Sequence, residues 1–570
     1  MIEVLIYGYL TSIHIYICGY LFFYFFVDKN AAINNNLFEL FFFGSFILCF
    51  IALFANFFIS LNKSFNTILL LFPFVLYFFL FNKNFVKKVL LFSLPISLLF
   101  MLTISYDGTY RPDAGSYHLP YVSILNESKI IIGINNIHFR FGHTSIIQYF
   151  SSIYNNHIFG EKGITIPVGL LFCNFVGYCI LEFLNSKNDN LYKVVLFLLF
   201  SFVIFRVNRY SDFGNDAPAN LLFFYLILES LRHKDNLLKI KKTIYASTFI
   251  FLNKVTLLIC FLLPVYFIFK KFELRNLLNK ASIFCFIFII LYTGKNIMVS
   301  GCIIFPVEQT CIKNLYWYDN GSNRESNAIN ARLENEAWTK GWVNQIGERK
   351  SYENYLDNYE WVNTWTKSEG KKIIKKIFPL SLFFLLLTVF FIVYEIRNKN
   401  KIRTNFNINN NYYACLIVCL IGTLLWFFKF PLFRYGYGYF ASFFSILISL
   451  LIIKFNFFDN SQRFKKFLIH ISIFLLFIIL LKNGNRIYKG LDNEINVWPN
   501  IYGSGKNYEK KKHLPIKKNN KIFFYKSINE ECYYSSSPCT HFYTGEDFTL
   551  NDINLDNFNG YKIYYFNKKN

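Results

Sequence analysis

The stretch Tyr106–Pro120, YDGTYRPDAGSYHLP, sets Asp107, Arg111, Asp113 and His118 directly behind the apolar run VLLFSLPISLLFMLTIS. A carboxylate in such a place can take a proton from a hydroxyl, and a neighbouring cation can meet a developing anion. Other apolar runs also end in ionisable residues. Arg140 and His143 occur in HFRFGHTSIIQYF, Arg209, Asp212 and Asp216 in NRYSDFGNDAPANLL, Lys254 in LNKVTLL and Arg434 in KFPLFRYGYGYF. A charge near a bilayer is expensive unless it meets a partner, water or a charged ligand, so each is a functional candidate. Each also has an ordinary reading. Arg140 could anchor its own loop, and Asp216 before Ala-Pro could serve as a helix N-cap. Arg434 among tyrosines could hold lipid headgroups, and His118 could pack beneath its loop.

The elements that must position these residues are membrane helices. Of the 570 residues 54% are hydrophobic and only 16% are charged, against about 25% charged in soluble domains. A bilayer core needs roughly 20 apolar residues per helix, and on that rule about fourteen spans can be read. They lie near 3–26, 38–60, 66–81, 86–104, 164–184, 191–207, 217–231, 242–253, 256–270, 280–298, 377–395, 411–428, 437–453 and 466–482. The fold class is therefore an all-α polytopic membrane protein. The N-terminal run lacks the basic region and small-residue cleavage site of a signal peptide and reads as the first span.

The net charge of +24 does not point to nucleic acid. The lysines and arginines crowd into short loops such as NKNFVKK, LRHKDNLLKIKK, KKFELRNLLNK, EIRNKNKIR and KFNFFDNSQRFKK, which recur at every second turn of the chain. Placing them in the cytoplasm satisfies the positive-inside rule for the whole set. The chain then divides into N-terminal helices (1–104), an outward acidic loop (105–163), a bundle (164–298), an outward loop (299–376), a second bundle (377–482) and an outward C-terminal domain (483–570). The runs KIFFYK and YKIYYFN give that last domain an α/β or β-rich character. Cys532 and Cys539, in CYYSSSPCTHF, suit a disulfide in an exoplasmic compartment; zinc with His541 is the competing reading. Cys302 and Cys311 form a second candidate pair.

With this topology the candidates of four separate loops converge on one face, and both signs of charge suit a polar ligand carrying phosphate. A divalent cation among Asp107, Asp113, Asp212 and Asp216 is a further option that no spacing fixes.

At these residues the chain resembles bacterial integral-membrane proteins with a D-x-x-x-YHLP stretch, here DAGSYHLP, followed by H-x-RFG-x-(N/T)S, here HFRFGHTS. The same group carries motifs matched by KNIMVSGCIIFP and by CYYSSSPCTHF. Their architecture is similar to the GT-C superfamily of polyprenyl-phosphate-sugar-dependent glycosyltransferases. The resemblance implies an essential acidic residue in the first large exoplasmic loop, matched by Asp113 and Asp107, and basic residues for the lipid-linked phosphate, matched by Lys254, Arg140 and Arg434. It also implies a polyprenyl-phosphate-linked sugar as donor, and a glycolipid, polysaccharide or protein as acceptor outside the bacterial inner membrane. In many such enzymes the acidic loop follows the first span, whereas about three further helices precede it here.

In this reading Asp113 is the preferred base, with Asp107 as partner carboxylate or as its replacement. His118, His143, Asp212 and Asp216 complete the candidate substrate-binding set. A flippase or transporter of lipid-linked saccharides would instead show symmetric halves and midplane charges, and neither is visible in the sequence. A polymerase or ligase of lipid-linked saccharides would draw on Arg324, Arg332 and Arg349 in the 299–376 loop. A purely structural membrane protein is the remaining alternative.

Overall fold

The computed structural model describes residues 1–29, 36–109, 111–143, 145–185, 189–206, 213–232, 236–270, 279–318, 327–397, 408–452, 461–492, 495–504, 508–518, 521–527, 531–540 and 553–566. Arg209, Asp212, Arg324 and His541 lie outside them. The described chain is mostly helical, and each of the fourteen apolar stretches falls on a helix. Seven of these helices are long and apolar enough to cross a membrane, from Ile2–Val27 through Leu468–Leu491, and Lys63–Phe78 and Val255–Lys270 are shorter apolar helices. The structure thus establishes membrane-type helices. The last long helix, Ser461–Asp492, continues past the expected end near 482 into the region read as C-terminal domain.

Asparagine starts many of these helices. The side chains of Asn36, Asn62, Asn82, Asn236, Asn279 and Asn409 each accept a backbone N–H of the first turn. That satisfies donors a membrane surface would otherwise strand. The helices Ile2–Phe22 and Leu37–Asn56 touch backbone to side chain: a Cβ on Gly19 would collide with the Leu40 carbonyl, and one on Gly44 with that of Ile15. Small residues at such crossings allow close packing without a hydrophobic driving force. Phe22, Phe46, Tyr245 and Phe284 then interlock with centroids 5.0–5.9 Å apart, edge to face in the pairs Phe22–Tyr245, Phe22–Phe284 and Phe46–Tyr245 and tilted in Phe46–Phe284.

The three long non-spanning segments lie together at one end of the bundle. Ile132 pairs with Ile563 as an added bridge to the hairpin Ile553–Phe558/Tyr561–Phe566. Tyr533 N–H donates to the Gly115 carbonyl at 2.8 Å, and Asn155 Nδ2 donates to the Tyr534 hydroxyl at 2.7 Å. Asn136 Nδ2 donates to the carbonyls of Trp317 and Tyr564, joining all three segments. Gly133 beside it has φ +65 and abuts the Tyr564 carbonyl, so a side chain would meet both backbone strain and a clash. The C-terminal region is β-rich: Leu514–Lys518, Lys521–Lys526 and Cys539–Thr540 form a three-stranded sheet. At the other end of the bundle three described basic residues meet their partners. Lys242 pairs with buried Glu39 at 2.8 Å, Arg232 with Glu182 at 2.6 Å, and Lys270 donates to Asn411 at 2.9 Å.

Two disulfides tie the segments at the first end, Cys302–Cys311 and Cys532–Cys539. The zinc reading for Cys532 and Cys539 is thereby corrected, because each sulfur is already bonded to the other. The remaining cysteines are all buried and free. Alkylation and intact-mass analysis of protein purified without reductant should find Cys302, Cys311, Cys532 and Cys539 protected as two disulfides. Free thiols at Cys532 and Cys539 would reopen the metal reading.

Candidate functional site

Asp113 precedes the short turn Ala114–His118, which runs into the helix Leu119–Glu127. Its carboxylate meets Arg434 Nη1 at 2.6 Å and Arg140 Nη1 at 3.4 Å. Arg434 opens the helix Phe433–Ile452, and its Nε lies 3.3 Å from Asp216 Oδ2. Asp216, in the first turn of Asp216–Leu231, also pairs with Lys254, the residue ending the helix Leu237–Asn253. Arg140 reaches onward to Glu334 at 3.8 Å, on the helix Asn327–Thr339. Five residues selected in five stretches of sequence thus form one ionic cluster, with Glu334 added from the 299–376 segment. Asn215, not Asp216, holds the N-cap position, so the Asp216 carboxylate is left for the cations.

Local packing fixes this register. Asn220, one turn beyond Asp216, donates to the carbonyls of Asp216 at 2.7 Å and Arg434 at 3.2 Å, and accepts from Gly438 N–H at 2.8 Å. A Cβ at Gly438 would press on the Asn220 amide, so the glycines of RYGYGY let the helix carrying Arg434 approach the one carrying Asp216. Lys254 Nζ sits 3.7 Å from the centroid of the Tyr435 ring. Its neighbour Asn253 accepts from Asn215 Nδ2 at 2.7 Å through its carbonyl, and from Ser145 Oγ at 3.3 Å through its side chain. Ser145 and Gln148 form a capping box. Gln148 Nε2 lies 3.1 Å from His118 Nδ1, so the two quoted motif segments hold each other.

The cluster is graded from buried to open. Side-chain exposure is 8% at Lys254, 17% at Asp216, 25% at Asp113 and 50% at Arg434. Burial pushes the Asp113 carboxyl up, but the charges of Arg434, His118 and Arg140 outweigh it and hold the group below the usual carboxylate range. Burial raises Glu334, and Arg140 only partly opposes that. His143 is pushed down to about 3 by burial, with Arg140 and Lys254 adding to it, so it is neutral at physiological pH. Its Nε2 faces Asn335 Nδ2 at 3.0 Å, and its ring edge meets Phe305. It stands beside the cluster as a neutral polar wall.

Asp107 is placed differently. It is 4% exposed, and its carboxylate accepts from Thr109 N–H, from Thr109 Oγ1 at 2.6 Å and from Arg111 at 3.1 Å. It lines a small cavity with Asn500, Gly503 and Tyr533, turned toward the C-terminal segment rather than the Asp113 cluster. Among the described residues no three His, Cys, Asp or Glu side chains converge as a metal-ion site. Glu334, Asn335, Asn220, Gln148 and Tyr435 were not singled out from sequence. Asn220 alone had a signal, its one-turn spacing from Asp216.

The cluster offers a held carboxylate and adjoining cations at the mouth of a helical bundle, a pairing able to move a proton and steady an anion. No curated protein and no solved structure matches the chain. All six members of the cluster fall within residues 1–441, the part matched by the model of a domain of unknown function, DUF8201, and the chain belongs to that family.

Proposed function

We propose that the chain is a GT-C type membrane glycosyltransferase that moves a sugar from a polyprenyl-phosphate donor to a cell-envelope acceptor. In this reading all fourteen helices cross the bacterial inner membrane, the basic loops face the cytoplasm and the ionic cluster faces outward. The observation that carries it is the Asp113 carboxylate held between Arg140 and Arg434, with Lys254 and Asp216 behind. Both partial reactions of sugar transfer need such a set. Asp113 accepts the acceptor's hydroxyl proton as its oxygen bonds to the anomeric carbon. The bond from that carbon to the phosphate oxygen breaks, and Arg434 and Lys254 meet the charge gained by the leaving phosphate.

The resting ion pairs also supply an order of events. A carboxylate gripped by two arginines is a weak base. An arriving donor phosphate competes for Arg434 and Lys254, which loosens Asp113 and raises its basicity when the substrate is seated. A second reading, a polymerase or ligase of lipid-linked saccharides, is favoured by the reach of Glu334 and Asn335 from the 299–376 segment into the cluster. The deciding experiment follows turnover of a polyprenyl-phosphate sugar by purified protein, with short acceptors against lipid-linked glycan acceptors. Transfer to lipid-linked glycan alone would move the assignment to the ligase. Orientation is tested separately. Reporter fusions at Lys241 and Lys401 should read cytoplasmic and one after Asn485 exoplasmic, and a cytoplasmic reading after Asn485 would defeat the outward site.

A further inference from the structure

Beside the ionic cluster, but outside it, an open basin of about 690 Å³ is lined by Lys367, Lys371, Lys372 and Lys375. Asn344, Asn363 and Ser368 contribute hydrogen-bonding groups to its walls. The helical turns Trp361–Trp365, Thr366–Gly370 and Lys371–Arg397 follow one another without a break, so Lys367, Lys371 and Lys375 stack on one face at successive turns. Lys372 is paired with Glu369 at 2.6 Å. Among the described residues no ion pair is found for Lys367, Lys371 or Lys375. Like charges at that spacing repel one another. Lys376 leaves the stack and lies 5.0 Å from the centroid of the Phe433 ring, toward Arg434.

Two further observations point to what relieves the repulsion. The described basic residues Lys242, Arg232 and Lys270 lie at the opposite end of the bundle, and with that end cytoplasmic, as in the proposed orientation, the positive-inside bias disfavours a lysine cluster flanking a span at this end. The lysine stripe also continues directly into an apolar one. Phe378, Leu382, Leu385 and Val389 follow Lys375 at helical spacing and are 44–59% exposed. A ligand lying along this face would therefore meet cations at one end and bare hydrocarbon along the rest.

We propose that the basin binds the phosphate headgroup of a membrane lipid, with its acyl chains along the Phe378–Val389 stripe. This site is distinct from the Asp113 cluster and does not depend on the reaction proposed there. The phosphate oxygens accept from Lys367, Lys371 and Lys375, and the Asn363 amide supplies a neutral donor. Near a surface each lysine contributes about fivefold to the affinity for an anionic lipid, so the excess over a zwitterionic lipid of the same chains should be on the order of a hundredfold.

The test titrates purified full-length protein in mixed micelles with nitroxide-labelled phosphatidylglycerol and, in parallel, phosphatidylcholine of the same chains. The wild type should bind phosphatidylglycerol preferentially. The exposed triple substitution Lys367→Gln, Lys371→Gln, Lys375→Gln should erase the preference, with the melting temperature as a folding control, and the triple Arg substitution should keep it. Equal preference in the Gln variant would overturn the proposal. So would displacement of the labelled lipid by free glycerol phosphate at the same concentration, since the site would then belong to a soluble anion. Binding is read without any sugar transfer, so its outcome is independent of that of the turnover assay.

Discussion

Replacing Asp113 with Asn is expected to lower sugar transfer roughly 10²–10⁴-fold, the usual contribution of a positioned base. Asn keeps the volume and the hydrogen-bonding capacity but cannot take the acceptor's proton. The protein should still insert and fold, because Arg434 keeps Asp216 at 3.3 Å and Arg140 keeps Glu334 at 3.8 Å. The pairing itself leaves a signature in stability. Asp113 is held below its ordinary range, so its contribution is present above the unfolded carboxyl value, about 3.9, and is lost as pH falls through the folded value. The melting-temperature gap between wild type and Asp113→Asn should thus persist at neutral pH and close on strong acidification. Asp107→Asn should act differently. Its carboxylate serves Thr109 and Arg111, so loss of local order is expected with turnover largely retained. Full transfer activity in Asp113→Asn, measured with a polyprenyl-phosphate sugar and matched expression, would sink the mechanism and favour a flippase.

The sequence made the helices legible because each apolar run is long, and because basic residues recur in alternate loops. It made the cluster legible for a related reason. An ionisable residue at the end of an apolar run has few inexpensive environments, so Asp113, Arg140, Asp216, Lys254 and Arg434 stood out, and they meet in space. What stayed hidden depends on tertiary contact. Asp107 and Asp113 look equivalent along the chain, yet a local turn through Thr109 commits the first and the arginines claim the second. Glu334 sits in NAINARLENEAWT, a polar helix of no marked pattern, and acquires a role only because Arg140 lies opposite. Asn220 resembles any polar residue in a span. Its three hydrogen bonds to Asp216, Arg434 and Gly438 show that it sets the distance between the two helices on which the cluster depends. The Lys367–Lys375 stripe escaped notice because lysines are common throughout this chain; only their stacking on one unpaired face distinguishes them.

Arg434→Gln is expected to lower kcat/KM roughly 10²–10³-fold, the range for removing one charge-stabilising donor from a reacting anion. The guanidinium bridges Asp113 and Asp216 at once, through Nη1 at 2.6 Å and Nε at 3.3 Å. Lysine has the charge but lacks the planar fork, so Arg434→Lys should restore only part of the loss. If Arg434 were merely a headgroup anchor among tyrosines, Lys would serve nearly as well. The pH profile separates the two roles further. In the wild type Arg434 is the leading influence that opposes burial and holds Asp113 low, so the base stays ionised and kcat/KM should lack an acid limb above about pH 5. Without Arg434, burial is opposed by the weaker influences of His118, Arg140 and Lys254, the Asp113 carboxyl rises, and its protonated form reaches higher pH. The acid limb of kcat/KM should then move upward in Arg434→Gln and stay near its original place in Arg434→Lys. A limb that does not move in Arg434→Gln would show that Asp113 is not the group whose ionisation governs turnover, even if the rate itself had fallen.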